Sequence, residues 1–323
     1  MEFSRRALEL DVEAEAGRIS AFIEEQVLRF YRRKGAVVGL SGGVDSALVA
    51  ALCVRAFGPE RVLGVILPER ESSPVSEPFA REQAEALGIA CERVDLTPIL
   101  TALGVYETKE RVIRRLCPDF EPDTDVTKIS LPGGILEREG LNVFTLTVEK
   151  PGGAKLTRRL GAEDFREISA SQNMKQRSRM TQLYRFAESR HYVVAGTTNR
   201  AELEQGYFVK YGDGGVDIEP VAHLYKTQVF ALARHLGVVE NILEREPSPD
   251  TWSAGVGDVE FYFRMPFEVL DMLLYAVDHR AASADVAREL KLKDEQVARA
   301  LRDIASKRKS TWHLRSLPPS LPL

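Results

Sequence analysis

The chain has little cysteine and no long apolar run. Each of these features excludes some classes of protein. Its cysteines, Cys53, Cys91 and Cys117, are scattered, odd in number and never in C-x-x-C spacing. They predict free thiols rather than a disulfide framework or the reactive cysteine pair of a thiolating enzyme. No apolar stretch approaches the ~18 residues of a membrane span. The first residues lead into acidic sequence rather than an apolar signal region, so we expect a cytoplasmic protein.

An excess of basic charge is also missing. The net charge is −4, which gives no overall footprint for nucleic acid, and the five histidines show no metal-ligand spacing. We therefore expect neither a nucleic-acid nor a membrane partner. The 323 residues are 44% hydrophobic, which is ample for a large core, and we predict a single domain over 1–323.

One stretch organises the rest of the chain. Residues 36–40 are apolar and β-branched and predict a short buried strand, and residues 47–52 predict a buried helix. Between them lies Ser41-Gly-Gly-Val-Asp-Ser46, a turn with two glycines, two hydroxyls and one carboxylate. A helix N-terminus with adjacent glycines favours phosphate, and Asp45 beside a phosphate indicates a bridging Mg²⁺.

This turn does not match the Walker A loop, G-x-x-x-x-G-K-[ST]. It does not match the dinucleotide-binding motif G-x-G-x-x-G either. A polar strand-to-helix turn, with Asp45 or Ser46 as the helix cap, is the simpler alternative. Its place in an α/β alternation favours the nucleotide interpretation. Further strands are predicted at 62–67, 90–95 and 191–195, with helices at 77–87 and 224–236.

Strands alternating with helices predict an α/β fold with a doubly wound parallel sheet. Ligands bind beyond the carboxyl ends of such strands, where the 41–46 and 68–74 loops are expected. The amphipathic stretch 4–33 predicts one long helix or two. Such a helix either caps the core or joins a dimer interface.

The alternation of strands and helices is interrupted over 104–168, which we interpret as an insertion. Within it, 141–148 and 155–160 flank a Pro-Gly-Gly turn and predict a β-hairpin outside the main sheet. Residues 266–310 form a C-terminal helical part. Its 284–301 segment has the pattern of a helix-turn-helix, so a DNA-binding regulator is an alternative function.

A helix is predicted to open at Ser171 and run to about Ser189. Lys175, Arg177 and Arg179 are placed near its start, where the helix dipole disfavours cations. They form either a solvated basic face or a site for a substrate phosphate.

Several motifs in order resemble the ammonia-dependent NAD synthetases, a family within the ATP pyrophosphatases. Ser41–Ser46 matches its S-G-G-x-D-S loop, and Asn173–Met180 matches N-x-K-x-R-x-R-M. Gly196-Thr197, Glu202 and Gly206–Asp217 match G-T-x-x-x-x-E…G-[YF]-F-x-K-Y-G-D-G-x-x-D. Lys226 and Pro247-Ser248 follow at matching positions. The resemblance runs from about residue 19 to the C-terminus, apart from 104–168.

The resemblance implies a Rossmann-like ATP pyrophosphatase fold and amidation of nicotinic acid adenine dinucleotide with ATP, Mg²⁺ and ammonia. It implies Mg²⁺ ligation by Asp45 and Glu202, and catalytic roles for Asp45, Lys226 and Asp217. The implied dinucleotide ligands are Arg177, Lys210, Asp217 and His313. The implied ATP contacts are Gly39, Leu40, Ser41, Gly42, Gly43, Val44, Asp45, Ser46, Thr197, Lys226 and Ser248. The family also implies a homodimer.

The chain departs from the family pattern in the 252–260 loop, where only Asp258 replaces its acidic residues, at Leu314, where the family has lysine, and in the 104–168 insertion. These departures leave open an amide ligase for another carboxylate. A nucleotide sensor without activity is disfavoured by the intact Asp45, Glu202, Lys210 and Lys226. We expect no fused glutaminase, whereas a separate ammonia-supplying partner stays open.

Overall fold

The computed structural model describes residues 3–131, 133–137 and 142–321. Its strands are β1 Ala36–Gly39, β2 Val62–Ile66, β3 Ala90–Arg93, β4 Val126–Ser130, β5 Thr145–Glu149, β6 Lys155–Arg159 and β7 Val193–Val194. Its α-helices are α1 Val12–Glu24, α2 Val44–Phe57, α3 Ser76–Leu87, α4 Thr97–Ala102, α5 Val105–Leu116, α6 Ala162–Arg190, α7 Arg200–Gln205, α8 Lys226–His235, α9 Glu240–Leu243, α10 Phe267–Asp278, α11 Ser283–Leu290, α12 Asp294–Ser310 and α13 Trp312–Arg315.

The main sheet is parallel, with the strand order β3-β2-β1-β7. Ala36 pairs with Val62 on one side and with Val193 on the other, so β1 is central. The strands that follow β1 in the chain lie on both sides of it: β2 and β3 extend the sheet in one direction, and β7 extends it in the other. The strand order therefore reverses at β1. Such a switch point leaves a crevice at the carboxyl ends of the two strands. The 41–46 loop leaves β1 at this crevice.

Helices cover both faces of this sheet, which confirms the predicted doubly wound α/β fold. Neighbouring residues of a strand point to opposite faces. Val38 packs with α1, α2 and α8 in one apolar cluster, whereas Val37 packs with α4, α5 and α6 in another. β1 and β2 are therefore apolar along almost their whole length.

A second sheet is antiparallel, with the order β4-β5-β6. Its β5–β6 hairpin confirms the predicted hairpin, although the predicted first residue, Leu141, lies outside the described residues. The strand β4 was not predicted, because its five residues alternate too briefly among flanking prolines. The sheet occupies 126–159 of the segment 104–168, whose limits as an insertion stay a prediction.

The helix predicted from Ser171 begins earlier, at Ala162, and is 29 residues long. Gly161 ends the hairpin and is the N-cap residue, and Glu163 and Asp164 in the first turn suit the positive end of the helix dipole. Lys175, Arg177 and Arg179 consequently lie in the middle of α6. The argument that the dipole disfavours them there is wrong.

The terminal segments pack beside this frame. The predicted 4–33 helix is a 3₁₀ turn at Arg5–Leu8, then α1, then a π-helical stretch at Glu25–Phe30; the side chain of Asp11 caps α1. The helical pair α11–α12 buries its apolar side in a cluster with α10. Across the described residues, no helix combines the length and apolarity needed to cross a membrane.

Candidate active site

The loop after β1 leads into the N-terminus of α2 at the crevice. Gly42 has φ of +71°, and a Cβ there would lie 2.4 Å from the carbonyl oxygen of Ser76. The Ser41 hydroxyl accepts from the Gly43 N–H at 3.2 Å, and the Ser46 hydroxyl donates to the Gly43 carbonyl at 2.9 Å. Gly43, the N-cap residue of α2, has no side-chain acceptor. The first turn of α2 therefore suits an anion rather than the self-capped turn of the simpler alternative.

An ion cluster lies beside this loop. Lys226 Nζ, at the start of α8, is 2.5 Å from Asp45 Oδ2 and 3.8 Å from Glu202 Oε1. Asn199 Nδ2 donates to Asp45 Oδ1 at 3.0 Å. Asn199 and Glu202 also form the capping box of α7. Three helix starts, those of α2, α7 and α8, thus converge on one pair of charges.

The charges of this cluster are unequal. Burial, and then the Asp45 carboxylate, raise the pKa of Glu202 well above its usual value. Burial lowers the pKa of Lys226, but the Asp45 and Glu202 carboxylates outweigh burial and raise it overall. Burial also raises the pKa of Asp258 to about 6, and the Tyr207 hydroxyl donates to this carboxyl at 2.8 Å. One lysine thus faces three carboxyl groups. An added cation would bring the positive and negative charges of the cluster closer to balance.

The donor set fits Mg²⁺ together with phosphate. Asp45 and Glu202 supply carboxylate oxygens at the cleft, and Mg²⁺ commonly takes one or two carboxylates with phosphate oxygens and water. Within 3–131, 133–137 and 142–321, no group of three or more His, Cys, Asp or Glu side chains forms a complete metal cage. A metal here would depend on the nucleotide for its other ligands.

The segment 245–250 closes over the phosphate loop. Arg245 donates to the Gly42 carbonyl at 3.1 Å and to the Ser76 hydroxyl at 3.0 Å. Asp250 accepts from the Ser73 N–H and from the Ser76 hydroxyl, each at 2.8 Å. Neither Arg245 nor Asp250 was predicted. The only sequence signal is their nearness to Pro247-Ser248.

Lys175 belongs to a buried ion cluster and does not face the cleft. Its Nζ donates to Glu69 at 2.9 Å, to Glu71 at 2.6 Å and to the Thr251 carbonyl at 2.8 Å. Lys109 donates to the other oxygen of Glu71 at 2.6 Å. Burial raises the pKa of Glu71, but the two lysines outweigh burial and lower it to about 2. The hypothesis that Lys175 meets a substrate phosphate is therefore wrong.

The far side of the cleft carries the predicted dinucleotide residues. Arg177 donates to the Lys210 carbonyl at 3.4 Å. Lys210 Nζ donates to the carbonyls of His313 and Ser316 at 2.9 and 2.8 Å. Arg177 and Lys210 both line the cleft, whereas His313 takes part through its backbone.

The structure brings most of the predicted site residues to one cleft of about 800 Å³. They are Gly39, Leu40, Ser41, Gly43, Val44, Asp45, Ser46, Arg177, Thr197, Glu202, Lys210, Lys226 and Ser248. In the described chain Gly42, Asp217 and His313 stay off the lining. The Asp217 carboxylate accepts from the Val194 N–H at 2.8 Å and from the Tyr184 hydroxyl at 3.1 Å. This geometry gives Asp217 a positioning role at β7, and its catalytic and substrate contacts stay predictions.

Comparisons with known proteins point to one family. A family model described as NAD synthase matches residues 15–115 and 138–318, so the internal unmatched part, 116–137, is shorter than the predicted insertion. The NH(3)-dependent NAD(+) synthetase of Mesorhizobium japonicum is 43% identical over 311 residues, which cover 96% of this chain and 97% of that protein. The NH(3)-dependent NAD(+) synthetase of Thermotoga maritima is 42% identical over 281 residues, which cover 87% of this chain and 92% of that protein.

Two solved structures share the fold. An NMN synthetase from Francisella tularensis aligns with a TM-score of 0.67 and 23% identity, covering 98% of this chain and all of that one. An NH3-dependent NAD synthetase from Campylobacter jejuni aligns with a TM-score of 0.63 and 21% identity, covering 97% and 100%.

The buried ion cluster generates a stability prediction. In Lys175→Met, the carboxylates of Glu69 and Glu71 lose their shared cation, and we expect the free energy of unfolding to fall by about 3–5 kcal/mol. Lys155→Met is the control, because its pair with Glu149 is largely exposed and contributes ~0–1 kcal/mol. Urea denaturation followed by circular dichroism measures both. A Lys175→Met variant as stable as Lys155→Met would contradict the prediction.

Proposed function

The chain belongs to the NAD synthase family, and from this premise and the site we infer that it makes NAD from nicotinic acid adenine dinucleotide, ATP and ammonia. The observation that carries the inference is the placement of the anion-binding loop beside Lys226, Asp45 and Glu202 in one cleft. An ATP-dependent amide ligase needs to bind a triphosphate and to stabilise the charge of its leaving group there.

The reaction proceeds in two displacements. The nicotinate carboxylate oxygen attacks the α-phosphorus of ATP, and the bond to pyrophosphate breaks. Ammonia nitrogen then attacks the acyl carbon, the bond to AMP breaks, and the nitrogen loses one proton to give the amide. No protein nucleophile is required, so positioning and charge stabilisation supply the rate.

Lys226 is the group best placed to stabilise the leaving pyrophosphate. It is 1% exposed and lies at the N-terminus of α8, next to the phosphate loop. The carboxylates that raise its pKa keep it charged at neutral pH. When a triphosphate enters, the ammonium can exchange part of its contact with Asp45 for phosphate oxygens. Thr197 and Ser248, on the same lining, are proposed to donate their hydroxyls to ATP.

Mg²⁺ is the proposed counter-ion of the phosphates. Asp45 and Glu202 would hold it, with phosphate oxygens completing its coordination, and the ion would supply further charge neutralisation. The raised pKa of Glu202 supports this assignment, since a bound cation favours the ionised form of both carboxylates.

The dinucleotide is proposed to bind on the side of the cleft that Arg177 and Lys210 occupy. Both are cations near the C-terminal segment around His313, and Asp217 lies behind them at β7. A partner that supplies ammonia is proposed as a separate protein, and we propose a cytoplasmic location.

Product analysis tests this function. We expect turnover to release AMP and pyrophosphate, because attack at the α-phosphorus breaks the bond between the α- and β-phosphates. Purified enzyme with ATP, Mg²⁺, ammonium and a panel of carboxylates that includes nicotinic acid adenine dinucleotide would be assayed by ³¹P NMR. ADP and orthophosphate as primary products would rule out this mechanism. Turnover with another carboxylate alone would retain the mechanism and replace the substrate.

Asp45→Asn should lose activity while keeping its fold. The neutral amide removes the charge that pairs with Lys226 and that is proposed to ligate Mg²⁺. Because metal-centred charge stabilisation is worth several kcal/mol, we expect kcat to fall roughly 100-fold or more. The control, Asp123→Asn, changes an exposed carboxylate. Steady-state kinetics at saturating ATP measures both, and near-normal turnover by folded Asp45→Asn would refute the role of Asp45.

We further propose that the enzyme is a homodimer that pairs through the N-terminal helical segment. Phe22, Phe30 and Tyr31 there are 42%, 70% and 41% exposed, an unusual density of aromatic surface. The Tyr31 hydroxyl also donates to the Asp217 carbonyl at 3.3 Å, which supports a surface close to the proposed dinucleotide side. A closed two-fold pair is the commonest homo-oligomer.

The dimer has a direct test. An obligate interface buries roughly 2,000 Å² or more, so Phe30→Glu in its centre should yield monomers. We expect these monomers to be less stable and to have a higher KM for the dinucleotide. Sedimentation velocity at micromolar concentration, with Phe57→Leu at the half-buried C-terminal end of α2 as the control, measures assembly. A fully active wild-type monomer would overturn the proposal.

A further inference from the structure

Gln172 on α6 is a buried amide without a protein partner. The residue is 8% exposed and lines the cleft. Its Oε1 and Nε2 are both buried and find no hydrogen-bond partner among the residues that the structure describes. A buried amide that makes no hydrogen bond is costly, and native structures rarely keep one without a reason. A ligand in the cleft would supply the missing partners.

The place of Gln172 on α6 is between two sides of the cleft. Residues three and four apart on a helix share a face, so Gln172, Lys175 and Arg179 form one row. Lys175 contacts Glu69, and Arg179 donates to the Leu67 carbonyl at 3.3 Å. Both contacts lie just beyond the end of β2. Gln176, which is also four residues from Gln172, packs against Gly212 in the loop that carries Lys210, so Gln172 lies between the β2 side and the dinucleotide side.

Apolar side chains, several of them aromatic, line the same cleft as Gln172. Phe165 lies two turns before Gln172 on α6, and its ring stacks on Phe144 with centroids 4.7 Å apart. Ile129 and Trp252 also line the cleft. Aromatic and aliphatic walls with one donor and one acceptor suit a planar heterocycle. A carboxylate would satisfy only the amide N–H groups and would leave the carbonyl unpaired.

We propose that Gln172 binds the edge of an adenine base, accepting from the 6-amino group and donating to an adjacent ring nitrogen. Glutamine pairs with adenine in this two-bond arrangement in nucleic-acid recognition. The inference rests on the proposed function, whose two nucleotide reactants, ATP and the dinucleotide, both carry adenine. Because Gln172 lies between the β2 side and the dinucleotide side, the base of either reactant fits, and the two arms of the test below distinguish them.

Analogues whose base lacks the 6-amino group test the proposal. One arm compares ATP with purine riboside triphosphate, and the other compares the adenine dinucleotide with its purine analogue. Wild-type enzyme should prefer adenine by about tenfold in kcat/KM in one arm, since a two-bond pair discriminates on that scale. In Gln172→Leu the ratio of kcat/KM for adenine to that for purine should fall to about one in the same arm. The arm that responds identifies the substrate whose base is bound.

Stability separates a binding role from a structural one. Because Leu leaves no amide unpaired, Gln172→Leu should melt at the same temperature as wild type or above it. Gln172→Glu keeps the volume and an oxygen that accepts from the 6-amino group but loses the amide N–H, so it should retain the preference while kcat/KM falls for both bases. The control is Gln182→Leu, on the same helix but off the cleft lining, where the amide already accepts from Arg185 at 2.8 Å.

The outcomes are distinct. A wild type that forms no AMP from ATP and the dinucleotide contradicts the proposed function. An active wild type whose adenine preference survives in both arms of Gln172→Leu overturns the inference alone. A lower melting temperature with the preference intact would make Gln172 structural and would overturn it as well.

Discussion

The contact between Lys226 and Asp45 is the constraint on which the site depends. It joins the first residue of α8 to the first turn of α2, and Asn199 ties α7 to the same carboxylate. Removing two charges from water costs more than an average ion pair returns, so such a pair is weak as a source of stability. Its value lies in position: the fold holds a lysine and two carboxylates, Asp45 and Glu202, at the switch point of the sheet, where a phosphate can take over part of their pairing.

A second set of buried charges holds the cover of this site. Lys175 joins Glu69 and Glu71, which follow β2, to the carbonyl of Thr251, which follows the Pro247-Ser248 motif. Arg245 ties the same segment to Gly42 of the phosphate loop, and Asp250 ties it to Ser76 at the start of α3. The loops above the cleft are therefore fixed by hydrogen bonds made by charged side chains. Such contacts are directional, which suits positioning better than apolar packing does.

The features that could be predicted from the sequence are those that depend on residues close together in the chain. The buried strand before Ser41, the two glycines and the alternation of strands and helices are local signals, and they led to the doubly wound sheet and to most of the cleft lining. Long-range pairing was beyond them. Lys175 reads as a basic residue of a substrate-binding motif until its partners, more than 100 positions earlier in the chain, are known. The brief strand β4 likewise acquires its identity only by pairing with β5.

Two departures from local rules lie in the cleft and share a physical cause. Glu202 is a carboxyl buried beside a second carboxyl, and Gln172 is an amide buried without a partner among the described residues. Each one costs stability in the free protein. Native sequences tend to keep such local conflicts where a ligand relieves them. The left-handed Gly42 costs little, because glycine has no Cβ, and it lets the loop backbone approach a ligand closely. An anion at the loop, a cation at Glu202 and a planar polar edge at Gln172 together match the metal-bound nucleotide that we propose for this site.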